Sequence, residues 1–181
     1  MEKKLIKIEI RNRWTGKVLF EYEKEDNTIK ETVVEAVKKG ADLRGAYLRD
    51  AYLVDAYLGG AKNVPFIPMF CPSDGAFIGW KKVKDVEEER ICLVKLEIQQ
   101  DSKRSSSSGT KCLCDYAKVL DVIDIETGEH LKSCINTNYV QTAYCVGEIV
   151  KADSFDEDRW KECSNGIHFF INRQEAEEYD I

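Results

Sequence analysis

Along the first 40 residues the apolar positions change their period. Leu5, Ile6, Ile8 and Ile10, then Val18, Leu19, Phe20 and Tyr22, form two short apolar runs broken by charge. They flank Asn12-Arg13-Trp14-Thr15-Gly16, which predicts a hairpin with a glycine in its loop. Ile29, Val33, Ala36 and Val37 then recur at helical spacing. Thr28 and Glu31 fit a capping box at the start of that helix, and Gly40 fits a stop at its end. From residue 76 the pattern becomes strand-like, and the spacing predicts strands over 76–83, 91–98, 112–123, 139–146 and 166–171. Glu126-Thr127-Gly128-Glu129 reads as a turn. Asn172 reads as the cap of a short closing helix that turns Ala176 and Tyr179 inward.

Between these halves the period is five. Ala recurs at 41, 46, 51, 56 and 61, and Leu at 43, 48, 53 and 58. Neither a helix nor a flat strand keeps such a set on one face, so the chain must bend after each unit. The segment resembles the pentapeptide repeat, and the resemblance implies a square β-helix with Leu and the small residue inside. Four units make one coil, with Tyr47, Tyr52 and Tyr57 pointing outward. A lone coil leaves both ends of its Leu cluster bare. The hairpin and helix are expected to cover one end, and the proline-rich stretch around Pro65, Pro68 and Pro72 the other. One coil is about 5 Å tall. Mimicry of duplex DNA needs many more, since ten base pairs span about 34 Å.

The expected fold is therefore α+β. An N-terminal β-hairpin and helix (1–40) cap a single pentapeptide-repeat β-helix coil (41–62). A proline-rich connector (63–75) leads to a strand-rich C-terminal domain ending in a short helix (76–181).

Composition narrows the options. Charged residues make up 33% of the chain, but a 43% hydrophobic content argues for a packed core. A net charge of −6 disfavours a general binder of nucleic acid or anionic membrane, while leaving room for a local basic pocket. Residues 1–7 break their apolar run with charge at once, which does not suit a signal peptide, and no apolar stretch approaches membrane-spanning length. The expected compartment is the cytoplasm. Seven cysteines, an odd number and several of them within apolar runs, read as reduced core residues.

Two places could carry chemistry. The tract from Gln99 to Lys111 holds Lys103, Arg104 and Lys111 among Ser105, Ser106, Ser107 and Ser108. Guanidinium, hydroxyls and backbone N–H groups together suit a phosphate, although the Walker spacing is absent. The plain alternative is a solvated connection between strands. The second place is Cys163-Ser164-Asn165-Gly166-Ile167-His168, where Cys163 and His168 would be the nucleophile and base of an enzyme. The plain alternative is a hydrogen-bonded core histidine. Cys112 and Cys114 with Cys163 and His168 number four soft ligands, but Cys-x-Cys is too tight for the usual zinc spacing. No metal and no cofactor is expected.

Phe77-Ile78-Gly79-Trp80-Lys81-Lys82, Val94 to Ile98, Lys103 to Cys112, Lys118 to Leu120 and Trp160 to Phe170 resemble a domain of unknown function. That domain is similar to one common in bacteriophage and prophage proteins behind a short pentapeptide repeat. Asn12 to Phe20 resembles the N-terminal hairpin of the same proteins. The resemblance implies no reaction and no catalytic residue. The leading expectation is a non-enzymatic phage-type protein that sequesters a small anionic, nucleotide-type signal of host defence. Lys103, Arg104, Ser105, Ser106, Lys111 and His168 would hold the anion, with Trp80 stacking on a base. One alternative is an enzyme degrading such a nucleotide through His168, assisted by Cys163 or Cys112. Another is a module that binds a host protein through the tyrosine-bearing coil. Self-association is compatible with each.

Overall fold

A computed structural model describes residues 4–48, 51, 53, 56, 58, 69–136, 141–161 and 163–181. The chain divides into two compact units, one comprising 1–68 with 158–162 and the other 69–157 with 163–181.

In the first unit, β1 (Leu5–Arg11) and β2 (Val18–Glu25) form an antiparallel hairpin. Gly16 at φ +68° makes the turn that a side chain would strain. The helix α1 (Ile29–Lys38) begins where Thr28 Oγ1 accepts from the Glu31 N–H at 3.2 Å and the Glu31 carboxylate accepts from the Thr28 N–H at 3.2 Å. It ends at Gly40, whose φ of +66° lets its N–H reach Val37 O. The buried face of α1, Val33 and Ala36, joins Ile10, Leu43, Ala46, Leu53, Ala56 and Leu58 in one apolar cluster. Trp160 packs against it as part of the same unit.

The β-helix coil expected at 41–62 is not what forms. Of the described residues, 43% lie in strands and 10% in helices, in several small antiparallel sheets with no repeat coil among them. The chain is therefore mostly β rather than α+β built around a β-helix. Among its described residues the five-residue segment has one isolated bridge, Asn12 to Ala46. Its order comes instead from turns, with the N–H groups of Ala46, Ala51 and Ala56 donating to the carbonyls of Leu43, Leu48 and Leu53. The strands of a β-helix exist by pairing between stacked coils, and four units supply nothing to stack on. Tyr52, Tyr57 and the proline-rich residues 63–68 lie outside the described residues, while Tyr47 is exposed.

The second unit continues with β3 (Phe77–Asp85), β4 (Arg90–Ile98), β5 (Arg104–Ser106), β6 (Cys112–Cys114), β7 (Tyr116–Asp124), β8 (His130–Leu131) and β9 (Ser133–Asn136). It closes with β10 (Thr142–Cys145), β11 (Ile149–Lys151), β12 (Ile167–Phe169) and α2 (Arg173–Glu178). The main sheet runs β11-β7-β4-β3, with β8 on the edge of β7. A second sheet runs β12-β6-β5, and β9 pairs with β10.

The run expected as one strand over 112–123 is two strands in two sheets. Asp115 is the break. Its N–H donates to Lys103 O, its carbonyl accepts from Ala152, and its carboxylate accepts the Ser102 hydroxyl at 2.8 Å. The core of this unit lies between the sheets, with Val94, Leu96, Ile98, Val119, Val122, Cys112, Cys114, Ile167 and Phe169 in one buried cluster. Each such Val, Leu or Phe contributes about 1.5–3 kcal/mol on burial. The close approach of the sheets is set at Gly79, where an added Cβ would come within 2.5 Å of the Phe169 ring.

Candidate functional site

The serine tract is not a solvated loop. Residues 104–106 form β5, and Ser105, Ser106 and Ser107 are buried. Through β6 the tract shares a sheet with the histidine strand, with Ser105 opposite Leu113 and Leu113 opposite His168. The pleat therefore turns Ser105, Leu113 and His168 to one face, and Ser106, Cys112, Cys114, Ile167 and Phe169 to the other.

Within the tract, the side chains proposed as phosphate ligands are engaged by the protein itself. The Arg104 guanidinium donates to the carbonyls of Ser102 at 3.0 Å, Gly75 at 2.6 Å, Gln99 at 2.5 Å and Gln100 at 2.8 Å. That commits four of its five N–H donors, and it also lies 5.1 Å from the Phe77 ring centroid. Ser106 Oγ accepts from the Phe70 N–H at 2.7 Å. Lys103 pairs with Glu157 at 2.7 Å on the surface. The Trp80 ring carries Lys95 and Arg173 at 5.6 and 5.3 Å from its centroid.

Lys111 and His168 do come together, and with them a residue the sequence reading left out, Lys81. Along β3, Phe77, Gly79, Lys81 and Val83 share the face that meets Phe169, so Lys81 is a cation on an apolar stripe. Its ammonium donates to His168 O at 3.2 Å. Burial, and then the charge of Lys111, push its pKa down to about 8. His168 is pushed down to about 4, chiefly by burial and further by Lys111 and Lys81, against a raising hydrogen bond to Ser164 O at 2.9 Å. That bond makes Nε2 the protonated nitrogen and leaves Nδ1 as an acceptor. Lys111 feels burial downward, but its contacts with the Tyr179 hydroxyl at 3.3 Å and the Cys163 sulfur at 3.6 Å outweigh it and raise its pKa. Its ammonium sits 5.5 Å from the Tyr179 ring centroid.

Lys111 thus disfavours the charged forms of Lys81 and His168, and Lys81 that of His168, a balance that an incoming anion reverses. The alternation of β3 was the signal for Lys81, since a lysine at the third position of Phe77-Gly79-Lys81-Val83 breaks an otherwise apolar face. The second histidine, His130, is exposed and pairs with Asp121 at 2.9 Å. The four soft ligands considered for zinc are split, because Cys112 and Cys114 face the core, His168 faces the other way, and Cys163 is exposed. Among the described residues no group of three or more His, Cys, Asp or Glu is arranged to hold a metal. No helix among them is long and apolar enough to cross a membrane.

These residues fall within a single family match. The chain belongs to the family of unknown function DUF5758, whose model covers residues 67–176. The match spans β3 to the middle of α2, and so contains Lys81, Lys111, Cys163 and His168. It shows the domain of unknown function, and neither a pentapeptide-repeat nor a phage family. Comparison with curated proteins and with solved structures returns no match.

Proposed function

We propose that this chain is a non-enzymatic binding protein that captures a small anionic ligand at Lys81, Lys111 and His168. It draws on one observation, the gathering of Lys81 and Lys111 about His168, with the Lys81 ammonium 3.2 Å from His168 O where β3 meets β12. Two ammonium groups supply the charge. The Tyr179 ring, already beside Lys111, supplies a stacking face, which makes a nucleotide the ligand type this chemistry suits best. The resemblance of the sequence to phage proteins favours a small nucleotide signal of host defence as that ligand, with sequestration as the outcome.

Equilibrium titration with cyclic and ADP-ribose-type nucleotides tests the reading. At least one should bind, and Lys111→Ala should weaken it by about tenfold or more, the worth of one charge-assisted contact. Absence of binding across the set, or affinity unchanged in Lys111→Ala and Lys81→Met alike, contradicts it.

A second reading, hydrolysis with His168 as base, draws on the free Nδ1 lone pair. Turnover that disappears in a folded His168→Gln protein would replace capture by catalysis.

A further inference from the structure

All seven cysteines fall in the second unit, and the anion site uses only the outer contact of Cys163. Cys71 and Cys112 stand apart from the rest because the chain brings them together from two directions. Cys71 lies in a stretch without strand or helix that precedes β3, and Cys112 opens β6. The Phe70 N–H is anchored 2.7 Å from Ser106 Oγ, and Ser106 faces Cys112 across the β5–β6 ladder. The next residue, Cys71, is thereby set beside Cys112, and the two are buried in one cluster. Both residues are almost wholly buried.

We propose that Cys71 and Cys112 are a dithiol that closes to an intramolecular disulfide under a two-electron oxidant such as hydrogen peroxide. A disulfide needs its two Cβ atoms within about 4.5 Å. The Phe70–Ser106 anchor and the Ser106–Cys112 pairing bring Cys71 and Cys112 together in the core without moving a strand. With peroxide, one sulfur attacks the O–O bond to give a sulfenic acid and water. The second sulfur then displaces the sulfenic oxygen as water and forms the S–S bond. Two thiols and one peroxide become one disulfide and two waters, with both sulfurs oxidised and both peroxide oxygens reduced.

The neighbouring Cys71 thiol, and then burial, hold the Cys112 proton on, so reaction in the closed state is slow. It proceeds when the stretch around Phe70 lifts from Ser106, a local opening of the kind that strand-free segments undergo most easily. Cys92 and Cys134 share the same cluster, but they lie on β4 and β9, where opening means breaking ladders. The Cys71–Cys112 bond adjoins Lys111, so it would fix the end of β6 that carries one arm of the anion site. The inference stands without that site.

Full-length protein is reduced, freed of reductant, treated with hydrogen peroxide, then denatured and alkylated for intact mass and peptide mapping. The expected result is loss of two of the seven alkylatable thiols, a Cys71–Cys112 cross-linked peptide, and recovery of both thiols with dithiothreitol. Cys71→Ala should abolish the cross-link, and Cys163→Ser, which leaves the core untouched, should retain it. Seven alkylatable thiols after oxidation, modification confined to Cys163, or a cross-link between any other pair overturns the proposal.

Discussion

Lys81 and His168 both carry a proton less readily here than they would in water. For His168 the folded pKa, about 4, lies below the ordinary 6.5. Between those values the unfolded chain binds more protons, so stability is complete above about pH 6.5 and drains away as pH falls toward 4. The full shift is worth up to about 3 kcal/mol, less whatever solvent reaches the ring. Urea unfolding at pH 7 and pH 5 checks this. Wild type should lose stability on acidification, and His168→Gln, which cannot titrate, should lose less. Lys81 carries the matching burden at neutral pH. Its folded pKa, about 8, is below the ordinary 10.5, so stability should rise as pH climbs between the two. Lys81→Met, with similar bulk and no charge, should therefore be more stable at pH 7 by about 1–3 kcal/mol while binding anions worse.

At this scale the sequence showed His168 as a residue of interest, because it is one of two histidines and follows Gly166, and Lys111 because it is a cation at the end of the serine tract. It could not show that Arg104 is consumed by carbonyls. Gly75, Gln99, Gln100 and Ser102 are brought to it by the fold.

The elements themselves were largely legible where local chemistry decides them. The capping box of Thr28 and Glu31, the Asn172 cap and the turn at Gly128 each depend on residues within a few positions, and each forms. Elements set by distant partners were not. Serine is poorly represented in strands, so nothing local announces β5, which exists because β6 pairs with it. Asp115 divides 112–123 because Lys103 and Ala152 claim its backbone.

Two substitutions test this level. Gly79→Ala should destabilise by about 1–3 kcal/mol, since the added methyl meets the fully buried Phe169 ring and the two sheets must part to admit it. Ser106→Ala removes the acceptor of the Phe70 N–H and should cost about 1 kcal/mol. Thermal or chemical melts read both. A neutral Gly79→Ala would mean that the sheets are not packed as closely as described.

At the scale of the whole molecule, the period of five marked a bend after every unit, and the turns at Leu43, Leu48 and Leu53 follow it. The coil inferred from it failed because strand pairing in a β-helix is a property of many stacked units. What the described residues have instead is one apolar cluster in the first unit and two in the second, a large one and a small one of Leu93, Phe170 and Ala176. Trp80 packs against the small cluster of the second unit, and Trp14 and Trp160 belong to the first unit. Val33→Ala, a cavity in the first core, should cost about 1–3 kcal/mol there and leave anion affinity unchanged. Coupled loss of binding would show that the units do not act separately.

The central claim is that charge on Lys81 and Lys111 is kept for an anion. Calorimetric titration of a tight-binding nucleotide at pH 7 and pH 9 tests it most directly, in wild type and in Lys81→Met. Because Lys81 loses its proton near pH 8, wild-type affinity should fall several-fold between the two, and the variant, weaker throughout, should show little of that fall. Affinity that is the same at both pH values in wild type, or a fall that persists undiminished in Lys81→Met, would contradict the account.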